Sequence, residues 1–469
     1  MLGANNPVKS GVDFNSGSVT TFTLSRPMDM FITNGSICDT SGQLLFYSNG
    51  DYIANKNHTR LLNSTNFNPT ITGDTVNGLN IVQGVLILPY CGLSNKYIMF
   101  HENHEDFFAH AMNQSQPTNL WYSVIDMALD GGFGGIDPTS KTVPIIADTL
   151  LKGRLTACKN GNGRDWWVVT HRDFSDVYYK VLITPDTITV TSQQIGSQII
   201  YDQVGQAAFS QQGDQYVIRG GGYNFDLFEF DRCDGVFSNY RIVNLIDIIN
   251  NGQDTLTPTG CAFSPGGRYL YVCNNIYVHQ FDTWSANINS TDSIVAIWDS
   301  TFSPLATTFF NMNLAPDNKI YITTANGSNV LHVIEHPDSL GMGCNVMQHG
   351  LPLPALNAPA LPNVPNYGLG AWLGGPCDTI TSIANILDME NRFLLYPNPS
   401  QGPIQIRMTS IMNSKFQMRL FDALGQLAFE STINQSEMRF DLSFLPDGVY
   451  FLEFSNNEFM IRQRWIRQN

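Results

Sequence analysis

FSPGGRYLYVCN, residues 263–274, reads as a strand end, a Ser-Pro-Gly-Gly turn and a second strand rich in Tyr, Leu and Val. The unit returns in DTSGQLLFYSNG (39–50), NGRDWWVVTHRD (162–173), FSQQGDQYVIRG (209–220) and LAPDNKIYITTA (314–325). LPYCGLSNKYIMFHEN (88–103) is a sixth copy with a longer turn. Outer strands follow these hairpins, in LWYSVIDM, VYYKVLIT, DLFEFDR, VHQFDT and VLHVIEH. Most spacings are about fifty residues, the period of a four-stranded propeller blade with its loops. A single blade cannot bury both faces of its sheet, so copies must stack radially and close into a ring that hides their edges. The sequence therefore predicts an all-β chain whose residues 1–377 form a β-propeller. Seven blades are favoured over six, the seventh built from a strand near Ser18–Leu24 and one near Tyr367–Leu373. HGLPLPALNAPALPNVPNYGLG (349–370) cannot be helix, because its prolines remove donors and restrict the residues before them. It should run extended across the ring.

Composition agrees. Asp far outnumbers Glu and charged residues make up only 14% of the chain, as expected for short strands joined by turns. Residues 1–391 carry 17 Lys and Arg against 33 Asp and Glu, whereas 392–469 carry 8 against 7. This shift marks a boundary, with 378–391 as a linker and 392–469 as a small β-sandwich. The acidic main body excludes nucleic-acid binding, since phosphate contacts need clustered Lys and Arg. No apolar run of 18 residues exists, so no transmembrane segment is expected. The opening MLGANNPVKSGVDF lacks a charged-then-apolar leader, so export would require a signal peptide ahead of Met1.

All eight cysteines precede the sandwich and none forms a CxxC pair, which argues against zinc. Cys261 and Cys273 lie symmetrically about Gly267 and are the candidate disulfide across the hairpin. Cys344 with Cys377 is a looser alternative, and buried free thiols are the competing reading.

The terminal module opens with YPNPSQG (396–402), continues through LFDALGQ (420–426) and LPDGVYFLEF (445–454), and ends in MIRQRWIRQN. In this order and spacing it resembles the C-terminal sorting domain of type IX secretion cargo in Bacteroidetes. The resemblance implies that Pro397, Asn398, Pro399, Gly402, Gly425, Gly448, Tyr450, Arg462, Arg464 and Arg467 carry the signal. It also implies export through the periplasm, by the type IX secretion machinery, to the outer-membrane surface or the medium. Gly425 and Gly448 are expected in turns needing positive φ, and Pro397 and Pro399 on a stiff edge. The phrases SGQLLFYSNG, WWVVTHR, FSPGGRYLYV, LAPDNKIYI and LHVIEHPD, spread over residues 29–376, are similar to propeller regions of secreted Bacteroidetes proteins of unassigned activity, which bring no catalytic residues to carry over.

Seven Asp-Ser/Thr-aliphatic tripeptides resemble Bacteroidetes O-glycosylation acceptors, at Thr75, Thr149, Thr187, Thr255, Ser293, Ser339 and Thr379. Average usage would give about two. The competing reading is that Asp-Thr leads naturally from a turn into a β-branched strand.

No local pattern fixes a reaction. HENHEDFFAH (101–110) holds His101, Glu102, His104, Glu105, Asp106 and His110, but the two His nearest its start are three apart after a strand, not four apart on a helix. DGGFGG (130–135) lacks the Lys-Ser/Thr of a phosphate loop, and no GxSxG elbow occurs. Paired carboxylates on different blades would leave no spacing signal; Asp39, Asp51, Glu102, Asp165 and Asp173 are available. Trp121, Trp166, Trp167, Trp284, Trp298 and Trp372 are the best material for sugar or partner contacts, with packing as the main role. No cofactor is expected, and calcium could come only from Asp/Asn-rich loops without DxDxDG spacing. The reading is a displayed binding, adhesion or structural component whose ligand is a surface glycan or protein. The alternatives are a secreted enzyme acting on glycans or lactone-like substrates, and a filament or surface-layer subunit.

Overall fold

A computed structural model describes residues 1–4, 8–69, 76–103, 116–199, 205–220, 224–245, 259–373, 375–377, 393–408, 416–423, 425–433, 435, 437–455 and 460–468. The chain divides into two compact units, Met1–Asp378 and Thr379–Asn469. Residues 378–391, expected as a linker, lie outside the described residues.

The first unit is a β-propeller. Blade 1 has three strands, Gly35–Cys38, Leu44–Ser48 and Ile53–Asn55. Blade 2 has Val85–Pro89, Lys96–Glu102, Asn119–Asp126 and Val143–Ala147, with Gly135–Ile136 added to its third strand. Blade 3 follows with Thr156–Lys159, Trp166–His171, Val177–Ile183 and Ile188–Gln194. Blade 4 has Ala207–Phe209, Gln215–Arg219, Asn224–Asp231 and Val236–Asn244. Blade 5 has Cys261–Phe263, Tyr269–Cys273, Tyr277–Asp282 and Ser293–Ile297. Blade 6 has Phe309–Leu314, Ile320–Thr324, Ser328–Ile334 and Val346–Asn357. The six hairpins read from the sequence are thus the first two strands of these sheets, and the strands expected as outermost are third, with a fourth beyond them.

Alternation along each strand feeds two different cores. In blade 3, Trp166 packs toward blade 2 with Leu88, Phe100 and Val181, while Trp167 packs toward blade 4 with Tyr216 and Phe230. Both indoles are therefore buried, and each N–H finds a carbonyl, Pro89 O at 3.2 Å and Arg232 O at 2.8 Å. The same logic joins blades 1 and 2, 4 and 5, and 5 and 6.

Closure departs from the expectation. The hairpin Val8–Asp13/Thr20–Ser25 covers the free face of blade 6, with Leu2, Val12 and Phe14 against Leu331, Val333 and Leu353. Met28 and Met30 cover the free face of blade 1 against Tyr47 and Ala54. Residues 1–4 and 8–30 thus occupy the seventh position. Tyr367–Leu373, expected as its second strand, forms no strand, because that stretch is drawn into the axis of the ring.

The second unit is a sandwich. One sheet orders Phe393–Tyr396, Pro403–Met408 and Glu437–Asp441; the other orders Leu427–Ile433, Phe416–Phe421, Gly448–Ser455 and Met460–Arg467. Its own core includes Ile404, Leu420, Leu452, Phe454 and the fully buried Trp465.

The cysteine expectation is corrected. Cys261 pairs in register with Val272, not Cys273, so the two thiols point to opposite faces of blade 5 and both are free. A one-residue offset in an antiparallel pair is enough to do this. Cys377 is bonded to Cys233 and so is unavailable to Cys344.

Candidate functional site

Antiparallel alternation gives the ring two faces. The connections from second to third strand, and from one blade to the next, open on one face, here called upper. The first-to-second and third-to-fourth turns open on the lower face.

Of the five carboxylates available from sequence, three lie on the upper side. Asp51 follows the second strand of blade 1, Glu102 ends that of blade 2 and Asp173 follows that of blade 3, at 7%, 0% and 6% exposure. Asn68 Nδ2 donates to Gly50 O at 2.8 Å and Glu102 O at 3.0 Å, tying the first two corners together. Asp39 and Asp165 sit instead in lower-face turns: Asp39 accepts from Ser41 N, Ser41 Oγ and Gln43 N, and Asp165 pairs with Arg164 at 2.7 Å. Among the described residues no three His, Cys, Asp or Glu side chains are grouped to hold a metal ion. His104, Glu105, Asp106 and His110 lie outside them.

Among His101, His171 and Asp226, all buried, the sequence singled out only His101, in HENHEDFFAH. His101, next to last in the second strand of blade 2, and His171, last in that of blade 3, are fully buried, and burial holds both imidazoles neutral down to about 3. Asp226, in the third strand of blade 4, accepts from Ser197 Oγ at 2.8 Å and Tyr240 Oη at 3.3 Å; burial nonetheless pushes its carboxyl up to about 6. The available signal was an Asp flanked directly by Phe225 and Leu227.

The axis is filled by the chain itself. After blade 6, Asn363 Nδ2 donates to Val85 O at 3.0 Å and Leu155 O at 2.8 Å, on the innermost strand of blade 2 and at the entry to that of blade 3. Deeper, Tyr367 Oη donates to Ile87 O at 2.8 Å; at the lower face Trp372 N donates to Gly161 O at 2.7 Å. Arg232 reaches Gly370 O at 2.6 Å, and the disulfide to Cys233 ends the segment. Two glutamine amides brace the upper end across the ring. Gln83 exchanges both bonds with the Ala207 backbone, each 2.9 Å, and Gln206 does the same with Met312 at 2.6 and 3.1 Å. Each amide imitates a missing strand, linking blade 2 to 4 and blade 4 to 6.

In the sandwich, most signal residues have structural work. Asn398 bridges Arg464 O at 2.7 Å and Ile466 N at 3.0 Å, so the first motif pairs with the last strand. A Cβ on Gly402, at φ +131°, would lie 2.5 Å from Ser443 Cα. Gly425 has the expected positive φ of 80°, but Gly448 does not: it is already the first residue of a strand, paired with Arg467. Tyr450 packs on Trp465, and its hydroxyl donates to Pro446 O at 2.8 Å. Arg467 is buried in an ion pair with Asp447 and donates to Ser443 O, whereas Arg464 is exposed. Pro397 and Pro399 lie in the bend before the second strand, and nothing is described of the Arg462 side chain.

The acceptor tripeptides divide. Thr187 is exposed in a lower-face turn; Thr149, Ser293 and Ser339 are half-buried. Asp148, Asp292 and Asp338 are engaged by Tyr179 Oη, His279 Nδ1 and Gly266 N. Thr75, Thr255 and Thr379 fall outside the described residues.

Residues 394–468 match the family described as the secretion system C-terminal sorting domain. The sandwich is therefore a type IX secretion sorting module, and the chain is cargo exported to the cell surface or the medium. Among the described residues no helix is long and apolar enough to cross a membrane. No curated protein matches the chain in sequence. Its fold is similar to that of a protein from Bacteroides uniformis provisionally named a 6-phosphogluconolactonase, at 12% identity and TM-score 0.35, covering 69% of this chain and 96% of that one. A gluconolactonase from Xanthomonas campestris (13%, TM-score 0.32, 64% and 86%) and the β-propeller domain of Cps50 (Swd1) from Myceliophteria thermophila (9%, TM-score 0.32, 76% and 92%) are similar at the same level. Nothing about activity follows from likenesses of this size.

Proposed function

We propose that the ring is a binding module delivered to the cell surface, where it contacts an extracellular glycan or protein through its rims and turns. The observation that carries this reading is the filled axis. Propeller sites that enclose a small substrate need a central depression, and here Asn363, Tyr367 and the two glutamine braces take that space. The enzyme reading draws on the burial of Asp51, Glu102 and Asp173 at the upper ends of three successive blades and on the raised Asp226 carboxyl.

Purified full-length protein separates the two. It should be retained by isolated cell envelopes or extracellular polymer while leaving gluconolactone and aryl glycosides unhydrolysed above background. Hydrolysis that collapses in Glu102→Gln or Asp173→Asn protein of unchanged circular dichroism would replace the binding reading with the enzymatic one.

A further inference from the structure

Trp284 is the most exposed of the propeller's indoles, ahead of Trp372. It lies in the turn after the third strand of blade 5, on the lower face, with 67% of its surface in water. The turn is rigidly seated. Thr283 N donates to Arg268 O at 2.9 Å, Thr283 O accepts from Arg241 of blade 4 at 2.8 Å, and Trp284 N donates to Asp282 Oδ1 at 3.1 Å. Further along, Asn289 bonds across to Ile242 O and Asn244 N, each at 2.8 Å.

The indole is also oriented. The Arg268 guanidinium lies between two rings, 5.3 Å from the centroid of Tyr269 and 5.3 Å from that of Trp284. Asp282 holds the guanidinium in a fork, with contacts of 2.7 to 3.2 Å. One face of the indole is thus backed by a fixed cation, and the rest is open to solvent. Leaving so much rigid aromatic surface wet forfeits burial energy, which an occupant would recover.

Resting on the binding reading above, we infer that Trp284 is a stacking platform for a neutral saccharide. The axial C–H face of a pyranose ring would lie on the open indole. The Arg268–Asp282 pair beside the indole offers donors and acceptors for its hydroxyls at the edge. This mixture of one flat apolar surface with a charged pair at its side suits a polyhydroxylated ring, which can use both, better than an apolar peptide side chain, which would use only the flat surface.

Isothermal titration calorimetry of full-length protein against hexasaccharides of glucose, mannose, xylose and N-acetylglucosamine tests this without relying on indole emission. At least one sugar should saturate. Trp284→Ala should weaken it tenfold or more, Trp284→Phe only severalfold, and Trp372→Ala, an exposed indole elsewhere on that face, not at all. Equal binding by wild type and Trp284→Ala would overturn the platform while leaving the binding reading intact. Saturation by no member of the panel would also overturn it, with the binding reading then judged separately by envelope retention.

Discussion

Cys377 Sγ lies so close over Gly161 that a Cβ on the glycine would sit 2.3 Å from it, with Cys233 Sγ at 2.8 Å. The disulfide, spanning 144 residues, therefore needs both its cysteines and a bare backbone beneath them. Denatured, unreduced protein should titrate six thiols, matching the six free cysteines; four would mean that a second bridge, such as Cys261 to Cys273, also forms. Removing the bridge in Cys233→Ser/Cys377→Ser should lower stability to unfolding by up to about 5 kcal/mol in the chain-entropy account. Gly161→Ala should show part of that loss, about 1–3 kcal/mol, by forcing the sulfurs aside.

Asn363 is the polar hinge of the axial segment. Asn363→Ala leaves the Val85 and Leu155 carbonyls without this buried donor and should destabilise the ring by about 2–4 kcal/mol in urea unfolding. A loss below about 0.5 kcal/mol would mean that the segment fills the axis without holding it.

Acid should weaken the ring. His101 and His171 titrate near 6.5 when unfolded and about 3 when folded, so their contribution is complete above 6.5 and shrinks as pH falls, because only the unfolded chain takes up the proton. Between pH 6.5 and 5 the two together should forfeit about 3 kcal/mol. Asp226 works in the opposite direction: with its folded value raised to about 6, its contribution is present below about 4 and is lost as pH rises through 6. Melting temperature against pH should therefore fall on acidification, less steeply in His171→Phe and more steeply in Asp226→Asn. A flat profile from pH 7 to 5 would contradict the burial of the imidazoles.

Of the described acceptor hydroxyls, Thr187 is the exposed one, and it is where O-glycosylation is expected. Intact mass of secreted protein should show hexose increments that diminish in Thr187→Ala; increments unchanged by that substitution would place the glycan elsewhere.

The hairpins were legible because each carries its own turn chemistry and alternation within a dozen residues, as in FSPGGRYLYVCN. The sandwich turn at Gly425 was legible for the same reason. Register was not: symmetry about Gly267 suggested Cys261 opposite Cys273, whereas the turn actually pairs Phe263 with Leu270 and moves the partner by one. The latch was missed because an extended Pro-rich stretch has the same appearance whether it pairs as a strand or is held by side chains from several blades. Gln83 and Gln206 act through partners 124 and 106 residues away, and Asp226 through Ser197 and Tyr240, 29 and 14 residues away, and such distances leave no local spacing to read.

Deleting residues 393–469 and locating the shortened chain by cell fractionation tests the account most directly. A ring with its own core, carried by a separate sorting module, should accumulate folded in the periplasm and be absent from the surface and medium. Normal appearance of the shortened chain outside the cell would contradict the assignment of export to the sandwich.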